Sequence, residues 1–428
     1  DKTTMMRKLI FLLLMVPVSA FGQTLEACQQ AAEHNYPLIR QYGLIEKTTA
    51  VTESNLRKGW LPQLSATAQA TYQSAVTAFP DDMQSLYQQM GITMEGLSKS
   101  QYRIGLDVQQ SVYDGGNIRS QKEIARRQGE VQAAQNEVNL YNVRKRVNEL
   151  FFSLLMVEEQ IKLNADLQAL LSGNEKKLAS MLKGGTAAES DYLNVKAERL
   201  NAVQQMTGLH SQRTSLVRML SLLCGMEIKA AVKPVVRQHT PSTQTCLRPE
   251  LKAIDAQLKL ADSQEKALDA ALRPRLGVFA QGYYGYPGYN MFDDMMRHRL
   301  SWNGMIGARL TWNIGALYTR KNDKARLQFQ RETAEVSRDR FLFDNRLEQI
   351  GQQENIERYR KQVAEDDEII ALRSSIRKAA ESKLAHGIID VNDLLKEINN
   401  ENVARVQQAM HEIEMLKEIY DLKFTTNQ

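Results

Sequence analysis

Beyond residue 22 the sequence lacks any run of about 18 or more apolar residues, so no membrane-spanning helix is predicted downstream of that point. Its three cysteines (Cys28, Cys224 and Cys246) are an odd number without a disulfide framework, and no Cys/His spacing suggests zinc. A net charge of +5 with no Lys/Arg run leaves no footprint for nucleic acid. There is no Ser/His/Asp cluster, Gly-rich phosphate loop or metal-ligand spacing, so neither an enzyme nor a cofactor is expected. Aromatics are few (7%) and prolines number nine, among long stretches rich in Ala, Gln, Glu, Lys and Arg; that mixture favours long helices.

What is present starts at the N-terminus. Arg7 and Lys8 precede the apolar stretch Leu9-Ile10-Phe11-Leu12-Leu13-Leu14-Met15-Val16, and Ala20 and Gly22 follow as small-residue cleavage positions. This reads as a secretory signal peptide over 5–22, so the mature chain is expected to be exported. Leu25-Glu26-Ala27-Cys28 loosely matches a lipoprotein box. Glu26 fits it poorly, and Thr24-Leu25-Glu26-Ala27 reads better as a helix start, so lipidation of Cys28 is the lesser reading.

The chain contains itself twice. Tyr36-Pro37-Leu38 and Leu61-Pro62-Gln63-Leu64 are echoed by Arg248-Pro249-Glu250 and Arg273-Pro274-Arg275-Leu276, with both prolines displaced by 212 positions. Gly185…Asp191-Tyr192-Leu193 and Gly387…Asp393-Leu394-Leu395 correspond at a displacement of 202. The expected organisation is a first repeat over 23–225, a linker over 226–246 and a second repeat over 247–428. Each repeat has a helix (about 24–59 and 247–272), then two strands (61–78 and 101–113; 275–286 and 301–313). A very long helix follows (117–183 and 317–385), then a Gly-marked turn and a returning helix (187–224 and 389–424).

The strands alternate. Leu64, Ala66, Ala68, Ala70 and Tyr72 oppose Gln63, Ser65, Thr67, Gln69 and Thr71; Tyr102, Ile104, Leu106 and Val108 oppose Arg103, Gly105, Asp107 and Gln109. In the fourth strand Trp302, Ile306, Ala308, Leu310 and Trp312 share the apolar side, while the third is weaker because Phe279 and Tyr283 fall on the other parity. Arg, Asp and Gln along whole strands suit a water-filled lumen. Trp302 and Trp312 are ten positions apart, about 33 Å along a strand and about 25 Å of height at a 40° tilt, the spacing of two aromatic girdles; Tyr102 is a third girdle candidate. Four strands cannot close a barrel in lipid, so the protomer must oligomerise: two copies give eight strands and three give twelve.

The 117–183 segment has no proline and would reach about 100 Å as a helix. Leu140, Val147, Leu154, Ile161 and Leu182 alternate with Val143, Leu150, Val157, Leu171 and Leu178 in a heptad, a coiled-coil pattern. At its far end Gly184 and Gly185, and in the second copy Gly387, form turns; Glu189, Asp191, Asp390 and Asp393 open the next helices. Such carboxylates complement a helix dipole, or become rings at a closed tip when copies assemble. Met83, Met90 and Met94, with Met291, Met295 and Met296 near His298, mark two outer loops and are read as packing rather than a copper site.

The Thr24-Leu25-Glu26-Ala27 opening, Leu61-Pro62-Gln63-Leu64 before the first strand, Val112-Tyr113-Asp114-Gly115-Gly116 after the second and the Gly…Asp-x-Leu hairpins resemble the TolC-like outer-membrane efflux protein family, across essentially the whole mature chain. The resemblance implies a mainly α protein with membrane β: a homotrimer sharing one 12-stranded β-barrel, continued by a periplasmic α-barrel of long coiled-coil helices, in the outer membrane of a Gram-negative bacterium. It implies contact with outer-membrane lipid, and docking at the tip to a periplasmic adaptor (membrane fusion protein) and an inner-membrane pump of RND or ABC type. The expected function is a passive exit duct of a tripartite efflux system, with type I secretion or metal-ion efflux as variants and a periplasmic adaptor or lipoprotein rod as readings from other classes. Relatives hold the tip closed through Asp-containing contacts after the second Gly. Asp393 matches one such position; Lys396 stands where another acid is typical, and Ile389 where a basic residue can sit.

Overall fold

The computed structural model describes residues 23–93, 96–235 and 246–427. The predicted signal segment 5–22, Met94 and linker residues 236–245 lie outside the described residues. Thr24 caps the first helix, its hydroxyl accepting the Ala27 N–H at 3.3 Å. That helix, α1 (Leu25–Asn35), stops at Tyr36-Pro37, and α2 (Ile39–Arg57) restarts beyond it. The single helix expected over 24–59 is therefore two, because proline carries no N–H to continue the ladder.

A 3₁₀ turn (Lys58–Trp60) leads to β1 (Gln63–Tyr72), a short α3 (Asp81–Gln89) and β2 (Ser100–Tyr113). Next come α4 (Asn117–Lys183) and α5 (Glu189–Cys224), then α6 (Pro249–Ala271), β3 (Arg275–Tyr286), α7 (Met291–Arg297) and β4 (Ser301–Thr311). The chain closes with α8 (Ala316–Ala385) and α9 (Val391–Thr426). Two compact units divide it: one holds residues up to Tyr42, Gln135–Lys252 and Arg338 onward, the other Gly43–Ala134 and Ala253–Ser337.

The second unit carries one antiparallel sheet in the order β1-β2-β3-β4. Its register aligns the alternating sets. Leu64, Val108, Ala280 and Ile306 stand in one cross-strand row, and Ala68, Ile104, Tyr284 and Trp302 in another. On the other face Ser65, Asp107, Gln281 and Met305 line up, as do Gln69, Arg103, Gly285 and Ser301. Because directly opposed residues share a face, four separate period-2 patterns become one apolar and one polar surface.

The two aromatics of wrong parity have a local reason. Phe279 covers Gly307, where an added Cβ would come within 2.7 Å of the ring, and Arg309 stacks over the same ring at 5.0 Å. Tyr283 likewise lies against Gly105. A bulge between Ser111 and Tyr113 shifts the register so that Tyr113 faces Leu276, itself opposite Leu310 on the apolar side. β1 ends at Tyr72 rather than near 78, since Val76 and Phe79 turn to pack on Leu97, Tyr286 and Met295. β4 ends at Thr311, leaving Trp312 just past the strand with its Nε1 donating to the Leu272 carbonyl at 2.9 Å.

The first unit is built on the predicted seam of α4. Val147, Leu154 and Val157 are buried against Leu25, Cys28 and Ala32 of α1, Leu216 and Leu220 of α5, and Ile413, Leu416 and Tyr420 of α9. Phe151 and Phe152 are adjacent in sequence and both buried, which one heptad seam does not allow; helices on several sides enclose this turn. A second core at the hairpin ends joins Leu171 and Leu178, Val195 and Ala202, Ala380, and Val391, Leu394 and Ile398.

An ion pair braces each hairpin. Glu175 on α4 accepts from Arg199 on α5 at 2.6 Å, and Arg377 on α8 pairs with Glu401 on α9. Glu175 and Arg377 are 202 positions apart, as are Arg199 and Glu401, so the two repeats make the same contact with its charges exchanged.

In the same unit, burial pushes the Asp421 carboxyl above its ordinary range, against the opposing pull of Lys417 and Asn148. A raised folded-state value means that the native chain holds this proton more readily than the unfolded chain. Stability therefore falls as pH rises from the ordinary carboxylate range through the raised value. Asp421→Asn is expected to raise the thermal midpoint at neutral pH and to leave it nearly unchanged in mild acid, checked by melting the two proteins across that range.

Candidate functional site

Two regions hold the residues singled out above: the sheet in one unit and the hairpin ends in the other. At the hairpin ends the turn chemistry is duplicated in detail. After α4, Gly185 (φ 72°) donates to the Leu182 carbonyl at 3.1 Å and Thr186 to Met181 at 2.9 Å. After α8, Gly387 (φ 66°) donates to Leu384 at 3.0 Å and Ile388 to Lys383 at 2.9 Å. Both are Schellman closures, in which the left-handed residue at the turn favours glycine. Gly184 occupies the preceding position in the first turn, where His386 stands in the second.

The carboxylates that follow are not equivalent. Asp390 is the N-cap of α9, its Oδ1 accepting the Asp393 N–H at 2.8 Å, whereas Ala188 caps α5 without a side-chain bond. Asp390 thus has a complete structural task. Glu189 is the exposed first residue of α5, Asp191 is half-buried one turn in, and Asp393 is exposed. Lys396 is also exposed and, among the described residues, makes no ion pair with Asp393. Ile389 packs into the tip core alongside Ala187, its counterpart in the first repeat, so an apolar residue there fills space. One contact had no sequence signal: Asn194 of α5 donates its Nδ2 to Asn392 Oδ1 of α9 at 3.3 Å, joining the two returning helices.

Cys28 is fully buried in α1, with its N–H donated to Thr24 at 3.1 Å. Acylation there would require cleavage just before Cys28, removing Thr24 and the buried Leu25, and would place a lipid chain inside the core. The burial of Cys28 within the helix fits its reading as a small helix residue.

On the sheet, Trp302 and Ile306 are 82% and 84% exposed on the apolar face. Tyr102, Tyr284 and Trp302 gather toward one end, with Tyr284 and Trp302 rings 5.1 Å apart; Trp60, Tyr113 and Trp312 lie toward the other. Among the described residues β1 pairs only with β2 and β4 only with β3, so each outer strand presents an unpaired edge. In the outer segments Met295 is buried, Phe79 stacks near Tyr87 and Phe292, and the His298 Nε2 is engaged by the Gly96 carbonyl at 2.7 Å, an arrangement of packing. Among the described residues no three His, Cys, Asp or Glu side chains group as metal ligands, and no helix is long and apolar enough to cross a membrane.

No protein-family model and no curated protein matches the chain by sequence. Solved structures do match its fold. The Campylobacter jejuni CmeC outer membrane channel aligns over 94% of this chain and 85% of its own, at 13% identity and a TM-score of 0.66. The outer membrane protein VceC of Vibrio cholerae aligns over 94% of both chains at 12% identity and a TM-score of 0.63. The open state of the Neisseria gonorrhoeae MtrE outer membrane channel aligns over 94% of this chain and 88% of its own at 14% identity and a TM-score of 0.62. The chain has the fold of the TolC-like outer-membrane channels.

Proposed function

We propose that this chain is the protomer of an outer-membrane exit duct, which conducts substrates passively from the periplasm to the exterior as part of a tripartite efflux system. The observation that carries this is the sheet: four strands in register with one face apolar apart from Gln110, one polar face bearing Arg103, Asp107 and Gln281, and an unpaired edge at each side. Lipid on the apolar face leaves those edges to other copies, because unpaired backbone is not tolerated in hydrocarbon. Three copies give a 12-stranded barrel wide enough for an open lumen. The duct works with a periplasmic adaptor and an inner-membrane pump that supplies the energy; type I secretion and metal-ion efflux are variants on the same architecture.

Purification from outer membranes followed by planar-bilayer recording tests the proposal: a trimer with stable conductance supports it, and a monomer without channel activity removes it. The same recordings test the tip. We assign Asp191 and Asp393 to carboxylate rings at the periplasmic entrance, so Asp191→Ala with Asp393→Ala is expected to change conductance and weaken block by divalent cations. Unchanged traces would leave both residues as first-turn acids that complement the helix dipole.

A further inference from the structure

Cys28 and Cys224 lie 196 positions apart and adjoin in the core of the first unit. Cys28 is fully enclosed and Cys224, the last residue of α5, nearly so. The Cys224 Sγ donates to the Cys28 carbonyl oxygen at 3.4 Å, so the end of one side chain reaches the backbone of the other cysteine. The apposition is fixed from outside as well. Asn35, two turns along α1, donates to the Leu222 and Leu223 carbonyls at 3.1 and 3.2 Å. Gly225 (φ 68°) ends α5 against that same Asn35, where an added Cβ would meet its side chain at 2.5 Å. Leu25, Ala32 and Leu220 belong to the same buried cluster as both cysteines. The end of α5 and the face of α1 are therefore held together with the sulfurs between them.

We propose that Cys28 and Cys224 are joined by a disulfide in the exported protein, formed as α1 docks on α5 and before both sulfurs are enclosed. The proposal rests on the export that the exit-duct reading requires, since an oxidising compartment is where such a pair is kept closed. The oxidant is a disulfide-bearing dithiol oxidoreductase. Cys224 as thiolate attacks the oxidant's disulfide, forming a mixed disulfide and expelling one oxidant thiolate. Cys28 then loses its proton and attacks the Cys224 sulfur, expelling the second. Two protein thiols and one disulfide become one protein disulfide and two thiols. The odd count that argued against a framework is explained by Cys246, half-exposed and outside the pair. The closed loop restricts the unfolded chain across nearly half its length.

Full-length protein is taken from the envelope fraction, denatured in the presence of a thiol-blocking reagent so that enclosed thiols also react, and mapped without reductant. The expected result is one blocked thiol per chain, at Cys246, and a cross-linked Cys28–Cys224 peptide that separates on reduction. Three blocked thiols, or a bond that includes Cys246, would overturn the proposal. Cys28→Ser and Cys224→Ser should each lower the thermal midpoint relative to the oxidised protein and match it in reductant; because either variant can misfold, the thiol count on the unaltered chain decides. If the chain is absent from the envelope, the exit-duct reading fails, and refolding in a glutathione redox buffer then decides the pairing by the same count.

Discussion

Ile306→Lys is expected to abolish insertion of the oligomer into the outer membrane. Ile306 is 84% exposed, sits mid-strand opposite Ala280, and shares its cross-strand row with Leu64 and Val108. If this face meets lipid, a lysine near the bilayer midplane costs about 2–4 kcal/mol per copy, or roughly 6–12 kcal/mol over three copies. That is comparable to the whole stability of an ordinary domain, about 5–15 kcal/mol. The control is Gln281→Lys, one residue along β3 and on the polar face beside Asp107 and Met305. A lumen-facing lysine stays hydrated, so assembly should be retained there with an effect within about 0.5 kcal/mol. The measurement is the amount of folded oligomer in outer-membrane fractions, judged by retarded migration of unheated samples. Equal loss from both variants, or from neither, would mean that the two faces are not divided between lipid and water.

The second large effect concerns the brace of the second hairpin. Glu401 is 5% exposed and serves Arg377 and Arg405, while Arg377 also holds Glu381 at 2.6 Å. Burial pushes the Glu401 carboxyl up, but the hydrogen bonds and charges of Arg405 and Arg377 outweigh it and hold the group below its ordinary range. Its contribution is therefore present above the ordinary carboxylate value and lost as pH falls through the depressed one. Glu401→Arg gathers three guanidinium groups in a site built for one carboxylate, and a loss of about 3–5 kcal/mol is expected. The first hairpin supplies the remedy, because it carries the pair in the opposite sense as Glu175 and Arg199. Arg377→Glu combined with Glu401→Arg should recover much of the loss. At the positions matching Glu381 and Arg405 the first repeat has Ala179 and Val203, so adding Glu381→Ala and Arg405→Val should recover most of the remainder. Thermal unfolding of the purified protein reads the series; a double variant as unstable as Glu401→Arg would show that the two braces are not interchangeable.

The parts legible in the residues alone were those with a short period. Alternation in β2 and β4 marked strands because successive strand side chains point to opposite faces, and the same residues fall on one surface in the sheet. The absence of proline over 117–183 and a heptad along it marked α4. Pro37 divides the segment expected as one helix over 24–59, because local periodicity on its two sides continues across the break. At the tip, glycine placement announced the two turns, since a left-handed backbone favours it, but the division of labour among the acids was not visible. Asp390 caps because its Oδ1 reaches the Asp393 N–H, whereas Ala188 in the matching place cannot cap with its side chain.

By itself, then, the sequence determined the repeating plan, the two faces of the strands and the sites of the turns, all consequences of neighbours within a few residues. Tertiary structure alone decided which distant residues meet. It placed Cys28 against Cys224, exchanged the charges of equivalent braces, laid Phe279 over Gly307 and surrounded Phe151 and Phe152 on several sides. The reason is physical: periodicity records how one element presents its side chains, whereas pairing across elements depends on how several helices or strands pack at once, which no local period encodes.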